Sequence, residues 1–203
     1  MNLVLPDAAS FRLGGLDGGM FATDAEFFDW CQQNRNLRIE RVGRDEVIVM
    51  SPAGGESSNR SLRVARQLLD WADDDGSGIA FDSSAGFELP DGSVLSPDAS
   101  WVRKTKILAL SKESRRRFLP VVPDLVVEVP SPSDSDAHLR RKMELWIGHG
   151  VPVGLLVKAD ERVTEIWRAG GMEVSRESEL AFSEFPGLRL ELRPVWRGLT
   201  ELD

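Results

Sequence analysis

Asp98 in SPDASWV and Glu128 in VPDLVVEVPSPSD are the residues whose type and placement could do chemistry. Glu128 interrupts a run of branched apolar residues of the kind that a sheet buries on both faces. An unpaired carboxylate there costs several kcal/mol or takes up a proton, so something must compensate it. Side chains alternate along a strand, which puts Asp124, Val126 and Glu128 on one face and Leu125, Val127 and Val129 on the other. Asp124 lies ~13 Å from Glu128 at ~3.3 Å per residue, too far to share a metal ion, and after Pro123 it reads as a strand-start residue. Asp98 shares its parity with Ser100 and Val102, and a neighbouring strand ~4.8 Å away can place it beside Glu128. Adjacent carboxylates repel and raise a pKa unless a cation neutralises them, and an Asp/Glu pair with open positions suits Mg2+ or Mn2+. On spacing alone, this pair competes with ordinary turn acids and a salt-bridged glutamate.

The segment from Asp136 to Gly148 offers a cation. At ~100° per residue, Leu139, Met143, Trp146 and Ile147 form one apolar face, Lys142 and Arg140 lie on its two borders, and Arg141 points away. Either border residue can reach over the strand end, and a border lysine can equally be snorkelling.

The elements that must position these groups follow from pattern. TDAE at Thr23 to Glu26 is a capping box for a helix reaching about Asn34. LRIER and EVIVM read as a strand pair turning at Gly43 to Asp45, and after SPAGGESS a long helix runs from about Glu56 to Ala72 with Leu62, Val64, Ala65, Leu68 and Leu69 inward. Strands are expected at Ile79 to Asp82, Gly86 to Leu89 and Ser96 to Arg103, helical residues from Lys104 to Phe118, and a strand at Leu125 to Val129. The helix from Asp136 to Gly148 then leads to VGLLV and a hairpin of RVTEIWR and MEVSR. The tail after Pro186 receives no assignment. Sheet segments on either side of helices indicate an α/β fold with a mixed sheet flanked by helices.

Composition excludes several classes. With 203 residues and 41% hydrophobic content, one buried domain over residues 1–203 is expected. No apolar run approaches a membrane span and no leader opens the chain, so a soluble, cytoplasmic protein is expected. One cysteine (Cys31) and two histidines cannot assemble the usual zinc spacings, and Cys31 reads as a small buried residue. The absence of tyrosine removes a tyrosine nucleophile, and no nucleotide-phosphate loop motif is present. A net charge of -8 argues at first against nucleic acid. The basic residues are nevertheless clustered at Arg103 to Lys106, Arg115 to Arg117 and Arg140 to Lys142, runs that can equally be solvated faces. The aromatic residues Phe27, Phe28, Trp30, Trp71 and Trp146 stand at helical spacings and read as core. SPAGGESS reads as a plain loop and helix start.

Taken in order, MSPAGGESSNRS, FDSSAGFELPDGSVLSPDASWV, PDLVVEVPSPSD, KMELWIGHGV and VGLLV resemble the Uma-type putative restriction endonuclease family, a branch of the PD-(D/E)XK nuclease superfamily, over roughly residues 21–168. The resemblance implies a restriction-endonuclease-like core with a divalent-metal site at the sheet edge. It matches Asp98 and Glu128 to the two metal-binding acids and Glu56 to an accessory acid on the first long helix. The superfamily lysine normally stands two residues after the second acid, where this chain has Pro130; the resemblance moves that catalytic role to Lys142. The implied activity is Mg2+- or Mn2+-dependent endonucleolytic hydrolysis of DNA, by a homodimer as in many related nucleases. Two rivals remain: a catalytically inactive nuclease fold that binds nucleic acid or a protein partner, and a paired-carboxylate glycosidase needing no metal.

Overall fold

The computed structural model describes residues 8–12, 21, 23–50, 52–132 and 134–199. In chain order the elements are β1 (Ala8–Arg12), α1 (Asp24–Gln33), β2 (Arg38–Val42), β3 (Glu46–Met50), α2 (Gly55–Asp75), β4 (Gly78–Asp82), β5 (Phe87–Glu88), β6 (Val94–Leu95), β7 (Ala99–Arg103), α3 (Lys104–Ala109), β8 (Leu125–Glu128), α4 (Asp136–Gly148), β9 (Val153–Lys158), β10 (Val163–Arg168), β11 (Gly171–Ser175), β12 (Glu179–Phe182), β13 (Phe185–Glu191) and α5 (Arg193–Arg197). The capping box forms as expected: the Glu26 amide donates to the Thr23 hydroxyl, and the Thr23 amide donates to the Glu26 carboxylate.

The central sheet has six strands in the order β11-β10-β9-β8-β7-β4. It is mixed, because β8 and β9 run parallel while the other pairs are antiparallel. α4 connects the parallel pair, which no tight turn can do. Strand parity divides the core into two layers. Leu125, Val127, Trp101, Leu155 and Val157 face α2, the β12/β13 hairpin and α5, where Val64, Leu68, Phe185, Leu190 and Val195 complete one cluster. Val126, Val102 and Leu156 face the opposite way, against Leu139, Met143 and Trp146 of α4. α4 lies close to the sheet because β9 carries Gly154, where an added Cβ would stand 2.5 Å from the Met143 methyl.

A second, antiparallel sheet follows the order β1-β3-β2-β6-β5. It brings β2 and the end of β6 to the α4 side of the central sheet, the position from which both act on the site described below.

Three expectations change, and the unassigned tail gains a structure. The expected strand Ser96 to Arg103 is divided: β6 ends at Leu95 in the second sheet and β7 begins at Ala99 in the central one, so Ser96 to Asp98 bridge two sheets. The expected helix from Lys104 to Phe118 stops at Ala109, and only a short 3-10 turn at Ser114–Arg116 follows. That stretch carries basic residues without an apolar stripe, so little packing sustains it. On α2, Leu62 and Leu69 are exposed rather than inward, since the buried stripe follows Ser57, Arg60, Val64, Leu68 and Ala72 at helical spacing. The unassigned tail is a hairpin and a short helix that cover the α2 face of the sheet.

Candidate metal and active site

Strand register brings Asp98 and Glu128 together. β7 pairs with β8 through Ala99 with Val127, Ser100 with Val126 and Trp101 with Leu125. Extending that antiparallel ladder by one residue sets Asp98 opposite Glu128, on the same face. The Val129 amide donates to Asp98 Oδ2 at 2.8 Å, which fixes the aspartate across the strand gap. Both acids line one cavity of about 70 Å³, together with Arg38 of β2, Ser57 and Ser61 of α2, and Lys142 of α4.

α4 grips Glu128 with two side chains one turn apart. Lys142 Nζ lies 2.9 Å from Glu128 Oε1, and Trp146 Nε1 donates to the same oxygen at 3.3 Å. Of the two border cations, Lys142 therefore reaches the strand end, whereas Arg140 pairs with Glu165 at 2.5 Å. Arg141, which points away from the site, pairs with Glu46. The run from Arg103 to Lys106 also contains paired members: Arg103 and Lys106 both hold Asp124, which is buried and accepts from the Arg103 amide.

Two residues at the site carry no signal in the sequence. Glu40 of β2 is 1% exposed; its Oε1 accepts from Lys142 Nζ at 2.9 Å and from the Ser96 amide at 3.0 Å. Arg38, two residues earlier on the same face, donates to the Ser96 carbonyl at 3.2 Å and stands 3.6 Å from Asp98 Oδ1. LRIER alternates apolar and charged residues, which normally marks a half-exposed strand. Here the charged face is turned inward onto α4. Asp134, which also lines the cavity, accepts from the Ser131 amide and hydroxyl at 2.8 Å each.

Glu56 is placed elsewhere. It lies 2.8 Å from Arg60 and accepts from the Leu199 amide at 2.9 Å, and it is not among the residues lining the cavity. α2 turns Ser57 and Ser61 toward the cavity instead.

The electrostatics favour a cation. Burial pushes Glu128 up to about 7, against the pull of Lys142 and with added repulsion from Asp98 and Glu40. Burial also raises Asp98, despite the Val129 amide and the charges of Lys142 and Arg38. Burial works against the Lys142 ammonium, but Glu128 and Glu40 outweigh it and raise Lys142 above the ordinary lysine range. Asp98, Glu128, Glu40 and Asp134 thus face two basic side chains, Arg38 and Lys142. Among the described residues no group of three or more His, Cys, Asp or Glu side chains is arranged to hold a metal ion. Mg2+ does not need such a group: it keeps several waters and is commonly held by one or two carboxylates. Two hard oxygen donors with raised pKa values at one small cavity fit that requirement.

The Glu128 shift has a thermodynamic consequence. The folded state keeps the Glu128 proton up to about pH 7, whereas the unfolded chain releases it near 4.5, so stability falls as pH rises through that window. Glu128→Gln mimics the protonated acid and leaves Lys142 paired with Glu40. In EDTA at pH 8 the variant is expected to be about 3 kcal/mol more stable than the parent, with the difference vanishing near pH 4.5. Urea unfolding across this range measures it; a pH-independent difference would contradict the assignment.

Over residues 24–200 the chain matches the family described as Uma2, putative restriction endonuclease. The chain belongs to the Uma2 family. A crystal structure described as a putative nuclease belonging to DUF820, from Anabaena variabilis ATCC 29413, is similar to this Uma2 chain, with a TM-score of 0.64 and 19% identity over 78% of this chain and 89% of that one. At that identity the likeness is one of fold. No match was found among curated proteins. Among the described residues of this Uma2 protein, no helix is long and apolar enough to cross a membrane.

Proposed function

We propose that the protein is a divalent-metal-dependent endonuclease that hydrolyses DNA phosphodiester bonds at the cavity shared by Asp98 and Glu128. The observation that carries this reading is the pair itself: two mostly buried acids, set opposite each other by the β7/β8 register and both raised in pKa, at the mouth of a cavity with two cations beside it. Asp98 and Glu128 would hold Mg2+ or Mn2+. Such an ion, when bound, supplies Lewis-acid polarisation of a phosphoryl oxygen and lowers the pKa of a water to produce the nucleophile.

The protein's own residues prepare that chemistry. The Val129 amide keeps Asp98 aimed across the strand gap, and Lys142 and Trp146 fix the rotamer of Glu128. Because Glu128 is half-protonated near pH 7, cation binding has to displace its proton, so affinity for the metal rises with pH through that region. Family membership supports a nuclease over a glycosidase, and dependence on a divalent cation separates the two. Purified protein is expected to nick plasmid or cut single-stranded DNA with Mn2+ and to stop in EDTA. Hydrolysis indifferent to EDTA would reject the proposal; DNA binding without cleavage under any divalent metal would favour an inactive binding module.

Cutting both strands of a duplex is simplest for a two-fold pair, so the same reading includes a homodimer in the cytoplasm. Sedimentation equilibrium is expected to give twice the chain mass; a monomer on DNA and off it would remove that part.

A further inference from the structure

The proposed reaction needs a positive group facing the phosphate, and Lys142 is already committed. An ammonium has three N–H donors. Three oxygens stand at 2.9 Å from Lys142 Nζ: Glu40 Oε1, Glu128 Oε1 and the Ser96 carbonyl. The side chain is 7% exposed. Turning to a phosphate would strip a proton donor from one of two buried carboxylates, so Lys142 is a positioning residue for Glu128.

Arg38 has the opposite character. Its side chain is 32% exposed and stands 3.6 Å from Asp98 Oδ1, outside hydrogen-bond range. Among the described residues its one hydrogen bond runs from Nη2 to the Ser96 carbonyl, and its buried Nε is without a partner. Arg38 also stands where three cavities meet. Besides the site cavity, it lines an opening of about 460 Å³ walled by Gln32, Arg35, Ser84 and Ser96, and another of about 220 Å³ walled by Ser58, Ser61, Asp82 and Asp98. Among the described residues it alone lines all three.

We infer that Arg38, rather than Lys142, is the catalytic cation: its guanidinium binds the phosphate to be cleaved, and the polynucleotide strand passes through the two outer openings across Arg38. A planar guanidinium offers parallel donors that match two phosphate oxygens, and it keeps its charge at any working pH. Both openings mix hydrogen-bonding and apolar residues: Arg35, Ser84 and Ser96 with Leu37 and Phe118 in the larger, Ser58 and Ser61 with Leu62 and Ala65 in the smaller, and Arg35 with the serines offers donors to a sugar-phosphate chain. Arg38 stands 3.6 Å from Asp98 Oδ1, so in this arrangement the phosphate lies beside that pair, with the guanidinium turning from Asp98 toward it. The inference rests on the endonuclease reading.

The test compares Arg38→Gln, Arg38→Lys and the parent in three measurements: Mn2+ binding without DNA, affinity for a fluorescent single-stranded oligonucleotide in Ca2+, and plasmid nicking in Mn2+. Arg38→Gln is expected to bind Mn2+ no more weakly than the parent, because a positive charge beside Asp98 has gone. It should also bind the oligonucleotide more weakly and nick about 10²–10³-fold more slowly, the usual loss of one preorganised donor to a developing negative charge. Arg38→Lys should recover part of the rate. Nicking by Arg38→Gln at the parental rate overturns the inference while leaving the endonuclease reading intact. Parallel loss of Mn2+ binding and nicking overturns it in favour of a structural role. A parent that never nicks brings down both. If Arg38→Gln does not fold, Arg38→Lys decides: a folded lysine variant nicking at the full parental rate removes any requirement for the guanidinium, and a reduced rate with intact Mn2+ binding supports it.

Discussion

Lys142→Met is expected to destabilise the protein by about 3–5 kcal/mol at pH 8, the usual cost of removing one partner from a buried ion pair. The reason is specific to its surroundings. Among the described residues Lys142 is the one cation in contact with the two carboxylates Glu40 and Glu128, which are 1% and 3% exposed. Methionine fills the volume of the stem and leaves both acids without their cation in an apolar layer built from Leu139, Met143, Trp146 and Leu156. The pH dependence comes from the acids, because the raised Lys142 keeps its proton throughout the accessible range. Lys142 holds Glu128 down to about 7, so without it Glu128 takes up its proton at a higher pH, and the penalty falls as the pH drops from 8 toward 7. Adding Glu40→Gln to Lys142→Met should restore much of the loss, since one buried acid then remains where there were two. Urea denaturation of both variants at pH 5 and pH 8 measures these differences. A Lys142→Met protein as stable as the parent at pH 8 would mean that the acids are not held as described.

Asp98→Asn is expected to reduce Mn2+-dependent cleavage by about 10³-fold or more, equivalent to roughly 4 kcal/mol of barrier. The substitution is chosen because the amide oxygen still accepts from the Val129 amide, the contact Asp98 makes at 2.8 Å. Asp98→Ala would leave that N–H unsatisfied and confuse a folding defect with a chemical one. The asparagine variant should unfold at the parental urea concentration or above it, since burial disfavours the Asp98 charge. Cleavage at more than a tenth of the parental rate would show that Asp98 is not a metal ligand in the reaction.

Much of this site was legible in the sequence, for unequal reasons. Glu128 announces itself because a carboxylate inside VVEV violates the local pattern, and parity then limits its partners. Asp98 needs only that its strand be the neighbour of Glu128, which the β7/β8 ladder satisfies. Helical spacing narrows the cation to Lys142 or Arg140 but cannot choose, because the choice depends on Glu165 in β10, a strand that joins the sheet later and captures Arg140. Glu40 and Arg38 are hidden for a different reason. Their strand shows ordinary alternation, and only the placement of the second sheet against α4 turns its polar face inward. The β12/β13 hairpin alternates too, with Leu180, Phe182, Leu188 and Leu190 buried, but Pro186 and a register shift at Ala181/Phe182 mask the pattern. Local rules thus identify residues that break their own surroundings. They miss residues whose surroundings are supplied by distant chain.

The central claim is that Asp98 and Glu128 together hold a divalent cation. A crystal soaked in Mn2+ at pH 8, where Glu128 is ionised, tests it without knowledge of the DNA substrate. The account predicts one anomalous peak bonded to a carboxylate oxygen of each acid, absent from the Glu128→Gln crystal. Clear density for both side chains with no peak between them, or a peak bound to other residues, would contradict it.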